Sequence, residues 1–145
     1  MEKKIAVLGA GLVGSTIAVD LSKQHNVTAI DLDKDKLTNL NKYPEIRTIH
    51  ADLKDQRNFK KLVKDYDLVI GAVPGFMGYQ VMKSVVEAGK NMVDISFMPE
   101  DFMQLDALAK KHRVTVVADC GVAPGMGNII KYLDERGVIY RLSNR

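Results

Sequence analysis

Tryptophan is missing from this sequence, cysteine occurs once, and lysines, arginines and acids are mixed along the chain rather than gathered in a block of one sign. A lone thiol, Cys120, cannot close an internal disulfide, which agrees with a reducing compartment. No stretch reaches the roughly 18 apolar residues that a membrane-spanning helix needs. No CxxC or HExxH spacing occurs, so no metal centre is expected. The net charge of +3 is spread out, which gives no footing to a nucleic-acid or anionic-membrane partner. Met1-Glu2-Lys3-Lys4 followed by apolar residues has the outline of a secretion signal, but glycines break the apolar run and it continues into a helical pattern carrying Asp20. A cytoplasmic location is therefore expected. Internal repeats, low-complexity segments and flexible linkers are also lacking up to about residue 136.

What is present is a chain of 145 residues, 46% of them hydrophobic, enough for one domain with a substantial core. Apolar runs suited to buried parallel strands recur near 4–8, 27–30, 46–50, 67–73, 91–95 and 114–118, each followed by a segment with helical spacing. Val13, Ile17 and Leu21 mark one helical stripe and Phe59, Leu62, Val63 and Tyr66 another, both expected to face a sheet. This alternation predicts a doubly wound α/β fold: six parallel strands in the order 3-2-1-4-5-6, helices on both faces, three layers. Ligands bind such sheets outside the carboxyl ends of the strands, where the strand order reverses.

The first of those ends is the most informative. Gly9-Ala10-Gly11-Leu12-Val13-Gly14 stands directly behind the strand Ile5-Ala6-Val7-Leu8 and ahead of a helical pattern, the position of a dinucleotide-binding turn. Gly9 permits the tight turn, Gly11 leaves room for a pyrophosphate, and Gly14 lets the helix approach the strand. The helix N-terminus offers the phosphates unpaired N–H groups and the positive end of its dipole. The second strand ends in Asp31, 22 residues after Gly9, close to the spacing of about 20 expected for the acid that binds the adenosine ribose. A carboxylate there accepts both ribose hydroxyls of NAD and repels the 2′-phosphate of NADP, so NAD is the expected cofactor. Lys34 and Lys36 argue the other way, since either could swing toward a 2′-phosphate. The plain alternative for Asp31 is a solvated residue opening the Asp31-Leu32-Asp33 turn.

After the third strand, Asp52 of His50-Ala51-Asp52-Leu53 either accepts from the adenine amino group or caps the helix that follows. Ala72-Val73-Pro74-Gly75 after the fourth strand is a rigid turn that can lie along the nicotinamide ribose and diphosphate, or simply connect strand to helix. Strands five and six end in Asp94 and Asp119, delivering two carboxylates to one rim, where paired acids can orient an amine or tune a proton transfer; each can equally be a turn former. Cys120 reads as a small buried apolar residue, because the sequence puts no histidine near it. His25 and His112 close predicted helices, where a cation suits the dipole.

The run Asp119-Cys120-Gly121-Val122-Ala123-Pro124-Gly125-Met126-Gly127-Asn128, together with Val93-Asp94-Ile95-Ser96 and Ala72-Val73-Pro74-Gly75, resembles the saccharopine dehydrogenase-like family, especially its lysine dehydrogenase branch. The likeness covers the chain to about Tyr140, with Gly127 where a Ser or Thr is usual. It implies an NAD(P)-dependent oxidoreductase acting at the amine-bearing carbon of an amino acid such as lysine or saccharopine. By the same likeness Gly9, Gly11, Leu12, Val13 and Gly14 hold the diphosphate, Asp31 the ribose, Asp52 and Leu53 the adenine, Val73 and Pro74 the nicotinamide side, while Asp94 and Asp119 border the substrate. Residues 1–136 then form the dinucleotide-binding domain, and 137–145 resemble the first strand of a substrate domain that would complete the site, supplied by a partner or matched by a homodimer. The competing function is a stand-alone NAD-sensing module like those of potassium transport systems, which has no reason to carry the G-x-A-P-G-x-x-N turn.

Overall fold

The computed structural model describes residues 1–127 and 129–131; the expected strand in 137–145 and the motif's Asn128 lie outside them. Six parallel strands form one sheet: β1 (Lys4–Leu8), β2 (Asn26–Asp31), β3 (Ile46–His50), β4 (Leu68–Gly71), β5 (Asn91–Asp94) and β6 (Val116–Val117). Their order is β3-β2-β1-β4-β5-β6, as the sequence predicts. Helices α1 (Leu12–Ser22), α2 (Lys34–Thr38), α3 (Gln56–Val63), α4 (Gly75–Glu87) and α5 (Asp106–His112) fill the connections. Among the described residues no helix is long and apolar enough to cross a membrane.

The strands alternate their apolar side chains between two cores, giving the three layers. Ile5 and Val7 of β1, with Val27 and Ala29 of β2, pack with Ala18 of α1 and Leu37 of α2 on one face. Ala6, Leu8, Ile30 and Val69 pack on the other with Phe59 and Val63 of α3 and Val81, Met82 and Val85 of α4. The stripe expected on α3 is the one that turns inward. On α1 the expectation holds for Ile17 and Leu21, which are partly buried against the core beside fully buried Gly14 and Ala18, and is corrected for Val13, which is exposed. A Cβ on Gly14 would run into the Gly9 carbonyl, so helix and turn touch backbone to backbone, and only glycine fits that contact.

The hydrogen-bond ladder continues past the strands into the loops that matter, by one residue after β1, β4 and β5 and by three after β6. Gly9 N–H donates to Ile30 O at 2.8 Å, Ala72 N–H to Leu8 O at 2.8 Å, Ile95 N–H to Gly71 O at 3.0 Å, and Cys120 N–H to Asp94 O at 3.0 Å. Each loop is thereby fixed to the strand beside it. The sixth strand shrinks from the expected five residues to the pair Val116–Val117, because a sheet edge pairs on one side only and the chain turns away at Asp119.

Candidate functional site

The glycine turn is shaped as its sequence implies. Gly9 has φ +102°, a conformation costly for any residue with a Cβ, and a side chain there would strike the Ala72 carbonyl across the sheet. Gly11 is the opposite case: a Cβ would meet nothing within 4 Å. That open volume lies at the N-terminus of α1, where Gly11 is the N-cap and no side chain caps the helix, leaving its leading N–H groups directed at the space. Exposed Leu12 and Val13 flank it. The cradle fits a phosphate group, which needs free amides and no side chain.

Beside the turn is a cavity of about 350 Å³ lined by Gly9, Asp31, Leu32, Asp33, Lys36, Asp52, Leu53, Lys54, Val73, Pro74 and Met77. The loops after β1, β2, β3 and β4 all contribute, so six of the sequence-derived residues, Gly9, Asp31, Asp52, Leu53, Val73 and Pro74, with Gly11 and Gly14 alongside, converge on one place. Lys36 enters the cavity and Lys34 does not.

All three acids of the lining are engaged with backbone amides. Asp31 accepts from Ala10 N–H at 2.6 Å and from Asp33 N–H at 2.8 Å. Asp33 caps α2, accepting from Asp35 and Lys36 N–H, and those bonds, foremost the one from Lys36, hold its carboxyl below the usual range. Asp52 accepts from Lys54 N–H at 2.9 Å, which makes it a turn former, while the cap of α3 is Asp55. The two cations are held loosely: Lys36 Nζ is 3.5 Å from Asp33, and Lys54 Nζ sits 5.8 Å from the Phe76 ring centroid. Negative charge in this cavity is fixed and already solvated by amides; positive charge can be redirected.

At the β5–β6 end the two carboxylates are neighbours but not alike. Asp94 is wholly buried, at 0% exposure, rather than on the open rim. Its Oδ1 accepts from the N–H and the hydroxyl of Ser96, and its Oδ2 has no partner. Burial pushes its pKa up, against the Ser96 bonds that lower it, and the nearby charge of Asp119 raises it further. Space for it exists because β4 ends in Gly71, directly across the register: a Cβ there would collide with Asp94 Oδ2. Asp119 is half-buried with φ +56°, a left-handed conformation that Asp tolerates better than most residues. Cys120 is exposed, correcting the expectation of a buried one. Burial of its sulfur and the charges of Asp94 and Asp119 push its pKa up, so the group stays a thiol and not a nucleophile. Residues 122–126 form one wide π-type turn, closed by Met126 N–H donating to Gly121 O at 3.0 Å.

Sequence reasoning did not single out Lys54, Met77, Ser96 or the role of Gly71. Lys54 stands two residues past Asp52, and its cavity position follows from the Asx turn that Asp52 makes, a signal available in the sequence. The other three depend on which strand lies beside which.

Comparison with known proteins matches this geometry. The saccharopine dehydrogenase (NADP(+), L-glutamate-forming) of Schizosaccharomyces pombe is 28% identical over 136 residues, covering 90% of this chain and 30% of that protein. The solved apo saccharopine dehydrogenase (L-Glu forming) of Saccharomyces cerevisiae superposes with a TM-score of 0.80 at 26% identity, over 92% of this chain and 31% of that one. The chain thus spans under a third of the length of these relatives. A shorter likeness, 45% over 47 residues or 32% of this chain, is to the Trk system potassium uptake protein TrkA of Halomonas elongata. The family model that matches, over residues 5–140, is the saccharopine dehydrogenase NADP binding domain. The expected preference for NAD is overturned: the family and the yeast relatives point to NADP. In the cavity Asp31 keeps its charge while its oxygens are taken up by the Ala10 and Asp33 amides, and Lys36 and Lys54 in the same lining are the countercharges for a phosphate, the feature that the spacing of Asp31 alone does not reveal. Since the match spans all six strands and every loop of the cavity, the chain belongs to the saccharopine dehydrogenase NADP-binding domain family.

Proposed function

We infer that this chain binds NADP(H) for an oxidoreductase acting at the amine-bearing carbon of an amino acid of the saccharopine or lysine type. The observation that carries the reading is the cavity beside Gly11: free helix amides, an open cradle, carboxylates held in place by backbone bonds, and two lysines held only loosely. When bound, the dinucleotide supplies hydride transfer at its nicotinamide ring. The residues of this chain bind and orient. Amides of the Gly11–Gly14 turn take the diphosphate, Lys36 leaves its 3.5 Å pairing with Asp33 to meet the 2′-phosphate, and Val73 and Pro74 support the nicotinamide side. Asp31 keeps the turn in shape and presents its carboxylate edge to the ribose. Asp119, half-exposed, faces the substrate, and buried Asp94 acts through it and through Ser96 as a positioning residue.

Exposed Phe97, Val122 and Met126 at the β5–β6 end support a second surface closing over this edge, from a substrate domain or a second copy. The single cysteine supports a reducing, cytoplasmic setting. Titration calorimetry with NADPH and NADH tests the cofactor: NADPH binding at least about tenfold tighter, or ~1.4 kcal/mol, is the expected result, and equal or tighter NADH binding would refute it. Amino-acid oxidation is tested by following NADP reduction with saccharopine and lysine as substrates.

A further inference from the structure

A lysine of the cavity lining, Lys54, reaches out to an exposed aromatic ring, Phe76, that the lining itself does not include. Phe76, the second residue of α4, is 73% exposed. Lys54, from the turn after β3, lines the cavity and holds its Nζ over the Phe76 ring. Both are carried on rigid supports. The Lys54 amide is bonded to Asp52, and α4 starts from Pro74 with Gly75 packed so closely on the Phe97 carbonyl that a Cβ would collide. Behind Lys54 the wall is apolar: Leu53 is buried, and Met77 stands beside it in the lining. The second cation, Lys36, pairs with Asp33 from the loop after β2, so the two lysines belong to different loops with different partners: a carboxylate for one, a ring face for the other.

We propose that Lys54 and Phe76 form a clamp for the purine base of the nucleotide, leaving the phosphate to Lys36. A planar base offers two π faces to an apolar wall and an aromatic rim, and such contacts need no hydrogen-bond register. A lysine already stacked on one ring is positioned to stack on a second. The proposal rests on the NADP reading and adds two residues to it. Because Phe76 is exposed, its removal leaves the core intact.

The test uses the whole chain, with NADPH, 2′,5′-ADP, which carries the base without nicotinamide, and reduced nicotinamide mononucleotide, which carries nicotinamide without the base. Phe76→Ala is expected to weaken NADPH and 2′,5′-ADP by about tenfold, and Lys54→Met by about threefold. The mononucleotide is unaffected by either, Phe76→Tyr retains wild-type affinity, and the melting temperature does not move. Unchanged 2′,5′-ADP affinity in Phe76→Ala overturns the clamp while leaving the NADP reading standing, as does an equal loss for the mononucleotide. A wild-type chain that binds neither NADPH nor 2′,5′-ADP overturns both. Wild-type nucleotide affinity with loss of self-association in Phe76→Ala assigns the ring to a protein interface instead.

Discussion

The loops after β1 to β4 and those after β5 and β6 open on the same edge of one sheet, yet they are built by different rules. On the β1–β4 side, three carboxylates are bonded to backbone amides, the turns are locked by contacts a Cβ would break, and a cavity is formed by this chain alone. On the β5–β6 side, one carboxylate is buried with an unpartnered oxygen, the other sits on left-handed backbone, the last strand has two residues, and Phe97 is 75% exposed. The contrast teaches that the cavity end is built from local turns supported by neighbouring strands, while the β5–β6 end holds left-handed backbone and exposed apolar surface.

The sharpest way to break the contrast is at the glycines. Gly14→Val should cost roughly 3 kcal/mol of stability in chemical denaturation, because the side chain meets the Gly9 backbone and α1 cannot retreat without opening the core. Gly11→Val, three residues earlier, should leave denaturation unchanged while NADPH affinity falls by at least about a hundredfold, since the space it fills belongs to the ligand. If both variants unfold alike, the cradle is structural and the contrast fails.

Asp31→Ala comes next. It strands the Ala10 and Asp33 amides and should destabilise by about 2 kcal/mol, read from the denaturation midpoint. An acid present only to discriminate cofactors would cost nothing when removed. Lys36→Met should then weaken NADPH by about tenfold, ~1.4 kcal/mol, with NADH unaffected, because only the former carries the phosphate. Equal loss for the two nucleotides would assign Lys36 to the diphosphate.

The smallest expected effect sharpens the other side. The folded chain holds the Asp94 proton more tightly than the unfolded chain does, so raising the pH from 3.8 through the raised folded value removes stability. Asp94→Asn keeps an acceptor for Ser96 and abolishes that loss. Stability curves of the two proteins should diverge as pH rises, the variant ahead by less than about 1 kcal/mol at neutral pH. Parallel curves would mean that Asp94 stays ionised without penalty.

Chain order and patterning settle the element sequence, the sheet order and the meaning of the glycine turn, because they rest on short apolar runs, a helix period, the regular alternation of the two along the chain, and backbone that glycine favours at Gly9. They also bring Asp31, Asp52, Leu53, Val73 and Pro74 to one edge, since in a doubly wound sheet every strand's carboxyl end points the same way. What a side chain does once it arrives there is another matter. The sequence marks Asp31 as a charge facing the ribose, and only the fold shows it bonded to an amide 21 positions earlier, across two strands. Likewise Asp94 reads as a rim acid, Val13 as core and Cys120 as buried, and the fold reverses each. Burial and charge compensation depend on neighbours brought close by strand pairing, and those neighbours are far apart along the chain.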